Sequence, residues 1–257
     1  MSPTSLTIGL AQFDISWENP ETNFRKVENL LTTSNTMDLV VLPEMWSTGF
    51  SMSPSSSAET TPGPALTWMI EKARLLNLII CGSIAVEDQG LYYNRFYCVF
   101  PDGSTKQYDK RHLFSYGKED HFYTPGDAHS VIDIAGWRIR PIICYDLRFP
   151  VWCRNTDGYD LLLVVANWPA VRIHHWDALL KARAIENQCY VAAVNRIGSD
   201  GNSLTYPGHS SIYDMNGIAL MQLEDKERIE VYQLEKSALT SYRDQYRFLQ
   251  DQDKFVI

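Results

Sequence analysis

Apolar runs of strand length alternate with helical patterns along most of this 257-residue chain. The segments LTIGLAQF (6–13), DLVVLPE (38–44) and YDLLLVVANW (159–168) are apolar through most of their length. Strands of this kind are typical of sheets that are covered on both faces. Because helical patterns separate many of these runs, we expect an α/β protein whose sheets carry helices on their outer faces.

Hairpins limit the topology further. The runs at 78–86 and 91–100 form one predicted hairpin, and a second is predicted at 210–223 around Asn216-Gly217. Antiparallel hairpins mixed with strand–helix units argue against a single doubly wound parallel sheet. The remaining strands are predicted at 137–144, 190–196 and 227–235.

Helices are predicted where apolar residues recur at helical spacing, at 19–31, 64–77 and 172–188. Asn19 is a suitable N-cap for the first helix, and Pro20 suits its first position. The last residues, 236–257, form a polar tail that is predicted to be partly helical.

The length and composition favour a single domain. A chain of 257 residues with 45% apolar residues is long enough to bury one large core. We therefore expect one domain over 1–257, with a core at about 6–235 and the tail at 236–257.

Charge and cysteine content narrow the partners and the compartment. The net charge is −8, and an acidic chain without a basic stripe is a poor binder of nucleic acid. We expect no signal peptide and no membrane association, because no apolar run approaches the ~20 residues of a membrane span. The cysteine number is odd and CxxC is absent, which predicts a reduced, cytoplasmic protein. Neither HExxH nor a Gly-rich phosphate loop occurs, so no metal and no cofactor is predicted.

Three chemically active residues interrupt or end strand-like runs. Glu44 ends LVVLPE, Lys110 follows a short strand in TKQYDK, and Cys144 ends RPIIC. The carboxyl ends of strands are where α/β proteins place their sites. A thiol can attack a carbonyl carbon, a carboxylate can move the protons, and an ammonium can stabilise the oxyanion. The three residues therefore predict covalent acyl transfer.

The residues after Cys144 bear on its reactivity. If 148–155 begins a helix, with Pro150 in its first turn, the thiol lies near a helix N-terminus. In that case we expect a lowered pKa at Cys144, because a helix N-terminus favours the thiolate. The backbone N–H of Tyr145 would then face the reacting oxygen.

The three segments resemble a known family. VLPEMWSTGF, YDKRHLF and PIICYDLRFP resemble the glutamate, lysine and cysteine motifs of the nitrilase (carbon–nitrogen hydrolase) superfamily, in the same order and at similar spacing. The resemblance extends from about Leu6 to Glu235. It implies a four-layer α-β-β-α sandwich, and homodimers or multiples of dimers that pack through outer helices.

The resemblance also implies residue roles. Cys144 matches the nucleophile, Glu44 the general base and Lys110 the oxyanion stabiliser. A second family glutamate follows the lysine and matches Glu119, which is implied to orient the lysine and the substrate amide.

Within the superfamily, residues 166–210 are similar to bacterial omega-amidase-like proteins. These hydrolyse the side-chain amide of 2-oxoglutaramate or 2-oxosuccinamate with water and release ammonia. The far carboxylate of such a small-molecule amide needs a cation. Arg148 is one candidate, and the alternative is a buried ion pair between Arg148 and Asp146.

Other residues near the motifs are weaker candidates for the substrate pocket. The start of the predicted helix after NWPA can face the pocket, although an exposed helix start is the simpler interpretation of Arg172, His174 and His175. The aromatic residues beside the motifs are expected to line the pocket together with Tyr145. They are Trp46, Phe50 and Trp168.

Competing functions stay open on the sequence alone. A cysteine–histidine hydrolase would use a histidine as base, and the candidates between Lys110 and Cys144 are His112, His121 and His129. An N-carbamoyl amino acid hydrolase would carry the same motifs. A non-catalytic binding protein with this fold is the third alternative.

Overall fold

In the described residues, 4–34 and 36–254 of this computed structural model, the strands form two large mixed sheets and one two-stranded ribbon. Their bounds are β1 Ser5–Gln12, β2 Leu39–Val41, β3 Glu59–Thr60, β4 Ile79–Asp88, β5 Leu91–Val99, β6 Thr105–Asp109, β7 Ile132–Ile134, β8 Trp137–Ile143, β9 Leu161–Ala166, β10 Tyr190–Asn195, β11 Ile197–Ser199, β12 Thr205–Pro207, β13 Ser211–Tyr213, β14 Ala219–Gln222 and β15 Arg228–Glu235. The helices are α1 Pro20–Thr33, α2 Pro54–Ser57, α3 Pro64–Leu76, α4 Pro150–Cys153, α5 Ile173–Asn187 and α6 Lys236–Gln245.

The first sheet has the strand order β15-β1-β2-β4-β5-β6, with β3 beside β4. Strands β1, β2 and β4 are parallel, while β15 and the β4-β5-β6 meander pair antiparallel. The second sheet has the order β14-β13-β10-β9-β8-β7, and its three central strands are parallel. The predicted hairpins are β4–β5 and β13–β14, and both are confirmed.

Side-chain alternation along β2 separates two apolar layers. Leu39 and Val41 belong to the core between the two sheets, whereas Val40 belongs to the core under α1 and α3. Helix α5 covers the second sheet, since Trp176 and Leu180 join the core that contains β9 and β10. The layers are therefore α-β-β-α, which confirms the expected sandwich.

Local signals in the sequence fix the first helix. The side chain of Asn19 accepts a hydrogen bond from the backbone N–H of Thr22 at 3.1 Å, and Pro20 is the first helical residue. The predicted cap is therefore confirmed, as the mechanism of N-capping requires.

The tail packs against the second sheet. Leu239 of α6 is buried in the main core, and Arg243 donates to the carbonyl oxygen of Tyr159 at 2.6 Å. Residues 255–257 of the predicted tail and 1–3 of the predicted domain lie outside the described residues. Among the helices of 4–34 and 36–254, none has both the length and the apolar character that a membrane crossing needs.

Strand directions bring several chain segments to one edge. Strand β6 runs in the same direction as β4 because two antiparallel pairings separate them. The carboxyl ends of β2, β4 and β6 therefore lie at one edge of the first sheet. Asn167, which follows β9 of the second sheet, bonds to Glu44, which follows β2, so the carboxyl edges of the two sheets meet.

Candidate active site

Two strand ends of the first sheet place an acid beside an amine. Glu44 lies three residues after β2, and Lys110 lies directly after β6. The Nζ atom of Lys110 is 2.8 Å from Oε1 of Glu44, and both side chains are fully buried. Such a buried ion pair needs further hydrogen bonds to offset the loss of solvent.

A second carboxylate completes this group. Glu119 begins a short 3-10 turn, and its Oε2 lies 2.9 Å from Lys110 Nζ. The backbone N–H of Phe114 donates to the same carboxylate at 2.6 Å. One ammonium thus holds two buried carboxylates.

The charges of this group shift its pKa values. Burial disfavours the charged form of Lys110, but Glu119 and Glu44 outweigh burial and raise the pKa of Lys110. Burial raises the pKa of Glu119, and Lys110 opposes that shift. Lys110 is therefore a permanent cation here, which suits it to stabilise negative charge and not to act as a base.

Two asparagines hold Glu44 in place, and no motif in the sequence predicted this role for either one. Asn94 Nδ2 donates to Glu44 Oε1 at 2.8 Å, and the backbone N–H of Asn167 donates to Oε2 at 2.8 Å. The side chain of Asn167 also donates to the Glu44 carbonyl oxygen at 2.6 Å. Their one sequence signal is an amide inside or directly after a buried strand.

Cys144 is the first residue of a 3-10 turn that follows β8. It has φ of 45°, a left-handed conformation that is unusual for a residue other than glycine. Its Sγ lies 3.9 Å from the carbonyl oxygen of Asn167, the residue that holds Glu44. Backbone strain of this kind costs ~1–3 kcal/mol and is found at sites where the surrounding structure holds it.

Asp146 holds the turn. Its buried carboxylate accepts from the backbone N–H of Ile143 at 3.0 Å and from the Tyr108 hydroxyl at 2.7 Å. It also accepts from the backbone N–H of His112 at 2.8 Å. These donors engage the Asp146 carboxylate. The alternative in the sequence analysis, an ion pair between Arg148 and Asp146, is therefore wrong.

The sign of the pKa shift at Cys144 differs from the sequence expectation. Burial raises the pKa of the Cys144 thiol well above its ordinary value, the negative charge of Glu44 adds to this, and Lys110 opposes it. Helix α4 has only four residues and begins six positions beyond the thiol, so its dipole contributes little. The expected lowered pKa is therefore wrong. The resting thiol keeps its proton, and a base must take that proton when sulfur attacks.

Cys144 opens into a cavity of about 280 Å³. Four of the residues predicted to bind substrate line it, namely Phe50, Tyr145, Arg148 and Trp168. The other side chains of the wall include Met52, Phe114, Tyr116, Asn167, Arg172, Asp200, Asn202, Leu204 and Tyr206.

Trp46 is the predicted pocket residue that lies elsewhere. Its ring is fully buried, with centroids 5.4 Å from Phe24 and 5.0 Å from Trp68, in the core under α1 and α3. The left-handed φ of 43° at Met45 turns the chain after Glu44, and the indole then points away from the cavity. The prediction that Trp46 lines the pocket is therefore wrong.

Two arginines carry positive charge into the cavity wall. Arg148 lies 4.6 Å above the Trp168 ring and donates to Nδ1 of His175 at 3.2 Å. Arg172 lies 5.4 Å above the Phe114 ring. Within residues 4–34 and 36–254, neither guanidinium forms a salt bridge with an acidic side chain. Burial and the nearby Arg172 lower the pKa of Arg148.

Arg172 and its neighbours on α5 depart from the sequence expectation to different degrees. The expectation of an exposed helix start fails for Arg172, which lines the cavity, and holds for His174, which is exposed. His175 is partly buried because it contacts Arg148.

The histidines of the rival mechanism are used elsewhere. His112 Nδ1 lies 2.9 Å from Asp146, and its ring stacks on Phe149. His129 stacks on Trp152 at 3.7 Å, and His121 is exposed. The charged groups with the largest effects on the pKa of the Cys144 thiol are Glu44, Lys110 and Glu119, and none of them is a histidine.

The chain is similar in sequence to known carbon–nitrogen hydrolases along most of its length. Residues 7–244 match the sequence profile of the carbon–nitrogen hydrolase family. The omega-amidase YafV of Escherichia coli strain K12 is 44% identical over 97% of this chain and 98% of its own length. The 2-oxoglutaramate amidase of Bacillus subtilis strain 168 is 37% identical over 84% of this chain and 85% of its own length.

A solved structure agrees with these relatives. The protein XC1258 of Xanthomonas campestris, of the same superfamily, has a TM-score of 0.95 and 39% identity, and the match covers 98% of this chain and 99% of that protein. Its crystal structure carries an arsenic adduct in the active site. This chain therefore belongs to the carbon–nitrogen hydrolase family, as the nitrilase-superfamily motifs in its sequence predicted, and it is a hydrolase of that family.

Proposed function

We propose that this enzyme hydrolyses the omega-amide of a short 2-oxo dicarboxylic acid monoamide, such as 2-oxoglutaramate, and releases ammonia. The observation that carries the proposal is the position of Arg148, a cation without an acidic partner in the described chain, in the same cavity as Cys144. The two relatives named as an omega-amidase and a 2-oxoglutaramate amidase support this choice of substrate.

In the first half-reaction, Cys144 Sγ attacks the amide carbon while Glu44 takes the thiol proton. The C=O electron pair moves to oxygen, where Lys110 and the backbone N–H of Tyr145 stabilise the negative charge. The oxyanion then collapses, Glu44 returns the proton to nitrogen, and the C–N bond breaks. Ammonia leaves, and the acyl group stays on Cys144 as a thioester.

In the second half-reaction, the oxygen of a water molecule attacks the thioester carbon while Glu44 takes a proton from that water. The C–S bond breaks, the sulfur regains its proton, and the dicarboxylate leaves. Glu119 keeps Lys110 in place through both steps, since its carboxylate lies 2.9 Å from the ammonium. The fixed positions of these groups before substrate binds reduce the reorganisation that the reaction needs.

Arg148 supplies the recognition of the far carboxylate. The net charge of the chain is −8, so long-range attraction does not favour an anionic substrate. Short-range, charge-assisted hydrogen bonds from a guanidinium are strong and geometrically specific. The Trp168 ring, 4.6 Å from the guanidinium, and the hydrogen bond to His175 hold Arg148 in one orientation.

Substitution of Arg148 tests this recognition. Arg148→Ala should lower kcat/KM for 2-oxoglutaramate by about one to two orders of magnitude, because a hydrogen bond to a charged group contributes ~1.5–3 kcal/mol. Arg148→Lys should give an intermediate loss, because it keeps the charge and loses the planar fork. Ammonia release from 2-oxoglutaramate and from a neutral amide of similar length measures both effects.

Equal losses on the charged and the neutral amide would mean that Arg148 supports the fold and not the substrate. A wild-type preference for the neutral amide, or for N-carbamoyl amino acids, would rule out the omega-amidase function. In that case the chemistry of Glu44, Lys110 and Cys144 is still open to test on the preferred substrate.

We also propose that the enzyme is a homodimer or a multiple of dimers, built through the outer face of the second sheet. Exposed apolar side chains lie there on α4, α5, the β13–β14 turn and the tail, namely Val151, Ile185, Ile218 and Phe248. Exposed apolar surface of this kind is typical of interaction sites. Sedimentation equilibrium should give a mass of at least two chains, and Ile185→Glu should lower it. A monomeric wild-type protein at micromolar concentration would contradict the proposal.

A further inference from the structure

Arg172 is a second cation in the wall of the cavity that contains Cys144, and the function proposed above gives it no role. Its guanidinium lies 5.4 Å above the Phe114 ring and 5.9 Å above the Tyr116 ring. No acidic side chain pairs with it in the part of the chain that the structure describes. It is also close enough to Arg148 to affect that group electrostatically. Two cations near one another and without acidic partners form a region that attracts electron-rich oxygen and repels ammonium.

The proposed substrate differs at one group of atoms from a 2-amino acid that carries the same side-chain amide, such as glutamine. A 2-oxo acid monoamide and the corresponding 2-amino acid share the amide, the chain length and the carboxylate. At C2 the first carries a neutral, electron-rich oxygen, and the second carries an ammonium. Arg148, which binds the shared carboxylate in the proposed function, does not distinguish them by itself. A second cation that reaches C2 does, because it attracts the oxygen and repels the ammonium.

On the basis of the proposed omega-amidase function, we infer that Arg172 is a specificity-determining residue that selects 2-oxo acid monoamides against the corresponding 2-amino acid amides. It donates to the 2-oxo oxygen, and its charge disfavours an ammonium at the same position. The Phe114 and Tyr116 rings hold the guanidinium beside the cavity and reduce its freedom before substrate binds.

One carboxylate in the same wall does not offset the two cations. Asp200 lines the cavity, but its Oδ1 accepts from the backbone N–H groups of Asn202 and Leu204 at 2.8 and 2.9 Å. Its Oδ2 accepts from the Tyr206 hydroxyl at 2.9 Å. Because these bonds within its own loop occupy the carboxylate, Asp200 is a poor partner for a substrate ammonium.

The test compares substrates that differ only at C2. The substrates are 2-oxoglutaramate, glutaramate, which has CH₂ at C2, and glutamine, and pentanamide serves as the neutral reference. The enzymes are wild type, Arg172→Gln, Arg172→Lys and Arg172→Met. The methionine variant keeps an aliphatic stem over the two rings in case the glutamine variant folds poorly. Lys181→Gln is the matched control, because Lys181 is an exposed cation further along α5 that does not line the cavity.

The expected result is a change in selectivity between substrates that differ at C2. Arg172→Gln and Arg172→Met should lower the ratio of kcat/KM for 2-oxoglutaramate to that for glutamine by about tenfold, the effect of one charged contact. Arg172→Lys should keep this ratio within about threefold of wild type, because the charge remains. The loss of kcat/KM on pentanamide, which has no oxygen at C2, should be smaller than the loss on 2-oxoglutaramate in the Arg172 variants, and Lys181→Gln should match wild type on all four substrates.

Two outcomes would overturn the inference while the proposed function stands. In the first, wild type prefers 2-oxoglutaramate, but the Arg172 variants lose kcat/KM equally on 2-oxoglutaramate, glutaramate and glutamine. Arg172 would then bind the carboxylate that these three substrates share. In the second, Arg172→Gln and Arg172→Met leave the ratio of kcat/KM for 2-oxoglutaramate to that for glutamine unchanged. If wild type does not prefer 2-oxoglutaramate to pentanamide, the proposed function itself fails, and the inference fails with it.

Discussion

Cys144→Ala is expected to abolish measurable amide hydrolysis in a protein that still folds. The substitution deletes the atom that attacks the amide carbon and removes little volume from a half-buried position. No other side chain in the proposed mechanism can form the thioester, so the loss should reach the detection limit. Ammonia release on 2-oxoglutaramate measures activity, and thermal unfolding measures the fold.

The other cysteines supply matched controls for this prediction. They are fully buried in apolar cores and have no role in the proposed chemistry, and they are Cys81, Cys98, Cys153 and Cys189. Their alanine variants should keep activity and lose stability by the cost of a small cavity. An active Cys144→Ala enzyme would end the covalent mechanism.

Glu44→Gln is the second change with a large expected effect. The amide keeps the shape of the carboxylate but cannot take the thiol proton, so kcat should fall by about 10²–10⁴-fold, as is typical when a general base is removed. The buried partners of Glu44 make a new rotamer unfavourable, since Lys110 and Asn94 lie 2.8 Å from the same oxygen.

A second measurement separates the role of Glu44 as base from a structural role. The negative charge of Glu44 raises the pKa of Cys144, so a neutral glutamine should lower that pKa. The pH midpoint of Cys144 alkylation should therefore move to lower pH in Glu44→Gln, while turnover falls. A midpoint that stays or rises would contradict this account of the site.

The histidine variants are the controls for the base. His112→Ala, His121→Ala and His129→Ala should each keep most of the activity, because Glu44 and not a histidine adjoins the thiol. If one of them is as damaging as Glu44→Gln, the cysteine–histidine mechanism gains support and the proposed mechanism loses it. Chelators are expected to have no effect on turnover.

Much of the fold was predictable from local sequence. The apolar runs at β1 and β9 specify strands that are buried on both faces, and Asn19 with Pro20 specifies the start of α1, because capping depends on neighbours three residues apart. Shorter elements such as β3 and β11, of two and three residues, are too short to leave a periodic pattern. Their existence depends on pairing with distant strands.

The acid, amine and thiol were also predictable from the sequence, because each one directly follows or ends a strand-like run and matches a family motif. The distances between these groups were not predictable. Glu44 and Lys110 are 66 positions apart in the chain and meet only because the ends of β2 and β6 lie at the same edge of the sheet. Asn94 and Asn167 were missed for the same reason, as each is an ordinary amide until the fold places it against Glu44.

The sequence by itself determined that sheets carry helices on their outer faces, because that follows from patterns between near neighbours. It also determined the chemical groups of the site and implied the four layers, because its motifs resemble those of the family. Only the tertiary structure decided that Trp46 points into the core, that Arg172 lines the cavity and that the pKa of Cys144 is raised. Side-chain direction after a turn depends on backbone angles such as the φ of 43° at Met45. A pKa is the sum of desolvation and of charges from distant parts of the chain, and that sum exists only once the chain has folded.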